Sequence, residues 1–158
     1  MKKFLSFLLP VVAMLCLASC SDDDDLPNVD FNIAFENAVQ VDGKIYVAVG
    51  QDLNVSSITV INKEQGKGAL ITGANYIWDG YYVGSSITPP YAYSMYISES
   101  VSNGLHTLSV ECPVYADDKS PATAVVSMPV EVVATPEDLP SDGEATFVVH
   151  PSTSERNK

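Results

Sequence analysis

From Leu26 onward, apolar and polar residues alternate in short runs separated by turn residues, and no window sustains a helical period. The alternation predicts strands at 29–35, 44–49, 54–61, 74–78, 81–84, 91–97, 105–114 and 123–133. Between them lie Val41-Asp42-Gly43, Gln65-Gly66-Lys67-Gly68, Asp79-Gly80, Thr88-Pro89-Pro90, Ser102-Asn103-Gly104 and Asp117-Asp118-Lys119-Ser120-Pro121. Each cluster has a mechanism for turning: Gly supplies positive φ, Pro fixes φ, and Asn or Asp tolerates the left-handed region. Seven or eight strands in about 105 residues, with no helices between them, predict an all-β chain folded as a two-sheet antiparallel sandwich. Past Val133 the character changes. Residues 134–143 are rich in Pro, Asp and Glu, and 144–150 reads as one more strand, which either adds to a sandwich edge or pairs with a partner. The polar tail 151–158 is expected to fray.

The first nineteen residues read differently. Met1-Lys2-Lys3 is a basic start, and the apolar run FLSFLLPVVAMLCL extends from Phe4 to Leu17. Such a run is shorter than the roughly 20 residues that span a bilayer and fits the apolar region of a secretory signal. It ends Leu17-Ala18-Ser19-Cys20, which resembles the lipobox of bacterial lipoproteins. The resemblance implies cleavage before Cys20, diacylglycerol on its thiol, and acylation of the new amino terminus. Several acyl chains, at about 0.8 kcal/mol per buried methylene, would anchor the protein permanently in a membrane. The following Ser21-Asp22-Asp23-Asp24-Asp25 reads as a solvated tether. It also resembles the acidic run that, in lipoproteins of certain anaerobic Gram-negative bacteria, routes the protein to the outer face of the outer membrane. The organisation expected is a signal at 1–19, an acidic lipid-anchored tether at 20–27, a sandwich at 28–135 and an extension at 136–158.

A second resemblance concerns the domain. Tyr76-Ile77-Trp78-Asp79-Gly80-Tyr81-Tyr82-Val83-Gly84-Ser85-Ser86, then Pro90-Tyr91-Ala92-Tyr93, then Gly104-Leu105-His106-Thr107-Leu108-Ser109-Val110 resemble, in order, the middle and later strands of a bacterial Ig-like domain. The likeness covers 76–133 well and the N-terminal half loosely. It implies an Ig-like sandwich in which Trp78 packs without the core disulfide of antibody domains.

Charge narrows the partners. Eight Lys+Arg stand against 20 Asp+Glu; removal of Lys2 and Lys3 with the signal leaves 6 against 20, a formal charge of −14. Such a chain repels phosphate backbones, so no nucleic-acid partner is expected. Cys16 leaves with the signal and Cys20 becomes the lipid site, so Cys112 is the remaining thiol, too few for a disulfide framework or a Cys-built zinc site.

Catalytic patterns are scarce. There is no G-x-S-x-G, H-E-x-x-H or P-loop, and the histidines are His106 and His150. His106 reads as a strand-end residue covered by a neighbouring loop, and Cys112, alternating with apolar neighbours, as a small buried hydrophobe. A Cys112–His106 dyad would span roughly 20 Å along one strand. Asp117-Asp118 could join a calcium site but reads more simply as a wet loop. Glu111 and Glu131 fall on solvent faces. A non-enzyme without cofactor is expected. The unusual feature is aromatic: seven of the twelve aromatics after the signal fall between Tyr76 and Tyr96. Parity turns Tyr76, Trp78, Tyr91 and Tyr93 inward. That leaves Tyr81, Tyr82 and Tyr96 as candidate ligand-binding residues, able to stack on a sugar or anchor a protein interface. The expected partners are a membrane through lipid at Cys20, and a surface protein or a glycan.

Overall fold

In the computed structural model, which describes residues 26–143 and 146–153, the alternating runs form twelve strands. They are β1 (Val29–Glu36), β2 (Val39–Val41), β3 (Lys44–Ala48), β4 (Asp52–Asn62), β5 (Ala69–Ile71) and β6 (Ala74–Trp78). Next come β7 (Tyr81–Ser86), β8 (Tyr93–Tyr96), β9 (Gly104–Ala116), β10 (Ala122–Val133), β11 (Thr146–Val149) and β12 (Ser152–Thr153). The expected signal, Cys20, the acidic run 21–25, residues 144–145 and the tail 154–158 lie outside the described residues.

Two Asp-Gly pairs show how the sequence dictates the hairpins. Asp42 and Gly43 have φ of 49° and 78°, and Asp79 and Gly80 have 48° and 83°. A type I′ turn needs positive φ at both central positions, and its twist matches that of the strands it joins. These turns connect β2 to β3 and β6 to β7.

The strands pair in the orders β11-β1-β4-β8 and β2-β3-β10-β9-β6-β7, with β5 added to β9 and β12 to β10. The result is an all-β, Ig-like two-sheet sandwich. Its ladders are antiparallel except β3–β10, which runs parallel from Ile45↔Val130 to Ala48↔Val133. Inward faces follow the two-residue period of a strand. β1 buries Val29, Phe31, Ile33 and Phe35; β9 buries Leu108, Val110, Cys112 and Val114; β10 buries Val126, Met128, Val130 and Val132. Register sets Leu108 opposite Met128 and Val110 opposite Val126, so neighbouring strands present their apolar faces to one core. Each such side chain contributes about 1.5–3 kcal/mol relative to exposure.

Some elements differ from expectation for local reasons. The strand expected at 91–97 begins at Tyr93, because Tyr91 adopts φ 62° and donates its N–H to the Thr88 carbonyl at 2.8 Å instead of joining the ladder. β2, β5 and β12 are two or three residues long, too short to register as alternation. The strand expected at 144–150 is β11, and it lies along β1 from Phe31↔Val149 to Ala34↔Thr146. Leading to it, the chain passes β2 so closely that a Cβ on Gly143 would stand 2.6 Å from Val39 Cβ. Part of the tail expected to fray is ordered as β12, where Ser152 pairs with Val125 and Thr153 with Ala124. The extension therefore crosses from one sheet to the other and covers one side of the sandwich. β7 and β8, on the opposite side, are the last strands of their sheets.

Candidate functional site

Four of the clustered aromatics are structural. Tyr76 is fully buried, stacks on Tyr93 with ring centroids 4.5 Å apart, and donates its hydroxyl to the Tyr91 carbonyl. Tyr91 donates its own hydroxyl to the Ile71 carbonyl at 2.6 Å, and Tyr93 donates to the Val83 carbonyl at 2.6 Å. Tyr93 can lie across β7 because residue 84 is glycine; a Cβ there would stand 2.4 Å from the ring. Burial raises the Tyr93 phenol above its ordinary value, and neighbouring Tyr82 adds to the rise. Trp78 stacks on His106, centroids 5.0 Å apart and planes 20° apart.

Around that stack lies a clamp. Asp79, held at the hairpin tip, accepts the Thr107 N–H on Oδ1 at 2.8 Å, and its Oδ2 lies 2.7 Å from His106 Nδ1. The backbone closes the same corner, Asp79 N–H donating to the Thr107 carbonyl at 2.9 Å. The other ring nitrogen, Nε2, lies 2.8 Å from the Ser102 carbonyl. Burial alone would lower the basicity of His106, but the Asp79 carboxylate and the Ser102 carbonyl together hold its pKa above the ordinary value. For Asp79 the burial penalty is likewise outweighed, by His106 and the Thr107 N–H, and its pKa sits below the ordinary carboxylate value.

Tyr81, Tyr82 and Tyr96 are exposed, at 77%, 66% and 60%. The structure sets them on three different faces, two of them on one edge strand. Tyr81 and Tyr82 are neighbours on β7, opposite Trp78 and Ile77. Tyr82 heads a row that runs across the outer sheet face through Ile77 and Ser109 to Ser127, where the two serine hydroxyls are 2.9 Å apart. Tyr96 alternates with inward Met95 and buried Ile97, so it stands on the outer face of the other sheet, opposite Asp52. Leu105, 62% exposed, and the cross-strand pair Leu70 and Tyr115, 54% and 45% exposed, lie outside the predicted candidates. Leu105 was legible, since it shares parity with Ser109 and Glu111 rather than with Leu108.

The other candidates are engaged elsewhere. Cys112 is 1% exposed, and burial pushes its thiol up to about 12, so it is no thiolate at neutral pH. Its side chain lies in the core while His106 turns to Asp79 and Ser102. Asp117 accepts the Gly68 N–H at 2.7 Å, and Asp118 lies 3.8 Å from the Lys67 ammonium. Among the described residues no three metal-ligating side chains cluster.

No protein-family model and no curated protein matches the chain. Among solved structures it is similar to the fibronectin(III)-like modules of Clostridium thermocellum CbhA, at 18% identity and a TM-score of 0.43, over 75% of this chain and 53% of that one. The chain thus spans about half the length of that solved chain.

Proposed function

We propose that the chain is a lipid-anchored cell-surface protein, held by acyl groups on Cys20, whose sandwich is a non-enzymatic interaction module. The observation that carries the interaction reading is that Tyr81 and Tyr82 are both largely exposed on the edge strand β7, one on each of its faces, while the aromatics around them are spent on the core. Rigid, amphipathic rings of this kind are the common anchors of binding surfaces.

The position of the pair supports this reading. The chain enters the sandwich at Asn28, whose carbonyl accepts the Lys63 N–H, beside the end of β4. Asp52, at the other end of β4, is ten residue steps away, about 33 Å along the strand. There Tyr96 closes β8, and His106 joins the loop to β9 with the Asp79 turn that precedes Tyr81. An anchor at Cys20 therefore leaves Tyr81 and Tyr96 at the end remote from the tether. At the entry end Lys63 pairs with Asp30, and Lys67 and Lys119 both pair with Glu64.

Two experiments test the reading. Labelled palmitate should enter the protein, and Cys20→Ser should abolish the label and move the protein to the soluble fraction. Protease added to intact cells should remove the domain. Full protection of the domain would contradict a surface location.

A second reading is favoured by the row Tyr82–Ile77–Ser109–Ser127, which sets an exposed ring and two hydroxyls on one outer sheet face, an arrangement that suits a glycan. Neutral saccharides fit best, because the acidic chain repels anionic ones. Affinity electrophoresis through gels containing neutral polysaccharides tests it. Retardation that is lost in Tyr82→Ala supports a glycan partner, and free migration in every gel argues for a protein.

A further inference from the structure

The clamp at the remote end has a property that neither reading uses. Both ring nitrogens of His106 face acceptors: an Asp79 carboxylate oxygen at 2.7 Å and the Ser102 carbonyl at 2.8 Å. A neutral imidazole carries one N–H and can satisfy only one of them, whereas the imidazolium satisfies both. We infer that His106 is a proton-operated clamp, which in its doubly protonated form fastens the β8–β9 loop to the β6–β7 turn and on losing a proton releases the loop.

Which bond is lost follows from their strengths. The bond to Asp79 is charge-assisted at the acceptor and keeps its proton on Nδ1. Nε2 then carries a lone pair pointing at the Ser102 carbonyl, and two acceptors 2.8 Å apart repel. The His106 side chain is only 11% exposed, so water does not readily replace the lost partner where it stands. The loop side has the freedom to yield. Ser102 and Asn103 are exposed, and the 98–103 segment is otherwise held by the Val101 N–H to Ser98 carbonyl bond, the Ser98–Ser100 hydroxyl contact and partial packing of Val101. The turn side stays fixed by the two Asp79–Thr107 bonds. The charged groups acting on the ring are Asp79 from the turn and Glu131 from β10, and Glu131 lies 3.4 Å from Lys44 on β3. Both carboxylates favour the protonated ring.

Coupling is reciprocal. By whatever factor loop closure strengthens proton binding at His106, protonation strengthens loop closure, and one pH unit corresponds to about tenfold. The inference stands apart from the proposed function and would hold for either partner.

Trp78 is the chain's single tryptophan and stacks directly on His106, so it reports on the ring. The purified protein should show a Trp78 fluorescence transition with its midpoint above about 6.5, the ordinary histidine value. Asp79→Asn should lower that midpoint by about one unit or more, and His106→Gln should abolish the transition. Amide exchange, corrected for its intrinsic pH dependence, should show residues 101–104 losing about tenfold in protection above the midpoint, while the core strands lose no more than the global stability does. If the variants fail to fold, nitrogen NMR of the wild-type ring decides: both ring N–H groups should be present at pH 6. A ring that is neutral there, or loop protection that is the same on both sides of the transition, overturns the clamp.

Discussion

Gly84→Ala tests the packing that sets the exposed tyrosines in place. The added methyl would lie 2.4 Å from Tyr93 Cε2 and 2.9 Å from both Cζ and the hydroxyl. Carbon atoms prefer about 3.5–4 Å, so the ring must retreat by more than 1 Å. It is not free to do so, because it stacks on buried Tyr76 and bonds to the Val83 carbonyl. Losing that hydrogen bond costs about 0.5–1.5 kcal/mol and losing the stack a similar amount. Overpacking of this kind costs about 1–3 kcal/mol, so a loss of about 2 kcal/mol is expected. Urea unfolding followed through Trp78 would measure it. Combination with Tyr93→Ala isolates the cause: without the ring, Gly84→Ala should be neutral or slightly stabilising, since alanine suits a strand better than glycine. The two changes should therefore couple by about 2 kcal/mol. No loss in Gly84→Ala, or the same loss with and without the Tyr93 ring, would refute the packing described.

Further outcomes follow from the same geometry. Cys112, its thiol raised to about 12 by burial, should not react with a thiol reagent at pH 8 until the protein is unfolded in urea. Tyr81→Ala and Tyr82→Ala should each change unfolding free energy by no more than about 0.5 kcal/mol, because both rings are exposed; a larger loss in urea titrations would make them structural. Gly143→Ala should detach the strap over β2, seen as loss of amide protection in β11, because its Cβ would meet Val39 at 2.6 Å. The stability linked to His106, whose pKa is raised, should be complete below about pH 6.5 and lost as pH rises through the raised value. Asp79, with its pKa lowered, gives the opposite limb: its contribution is present above the ordinary carboxylate pKa and lost as pH falls through the lowered one. The stability difference between wild type and His106→Gln should therefore be largest below about pH 6.5 and fall to a constant offset at alkaline pH.

Much of the sandwich was legible because strands with one buried face announce themselves. β6 was readable to the residue, since Trp78 runs straight into an Asp-Gly pair that must turn. Parity also turned Tyr76 inward, as it is, whereas adjacent Tyr81 and Tyr82 have opposite parity and are both exposed because β7 is an edge strand. Parity within a strand does not say which sheet the strand joins, and so Tyr96 was grouped with residues that stand on a different face. The covering of His106 by a neighbouring loop was foreseen, but its partners were not. Asp79 and Ser102 reach it from two other elements, and nothing local in the sequence records such a meeting. β12 escaped because Ser152 and Thr153 carry no apolar signal at all.

The interaction reading is tested most directly by a photo-crosslinking residue placed at Tyr82 of the protein on intact cells, with the same residue at Val148 as control. Val148 is 55% exposed but lies on β11, on the opposite side of the sandwich. A covalent adduct with a surface component is expected from position 82 and none from 148. Adducts equally abundant from both positions, or from 148 alone, would contradict it.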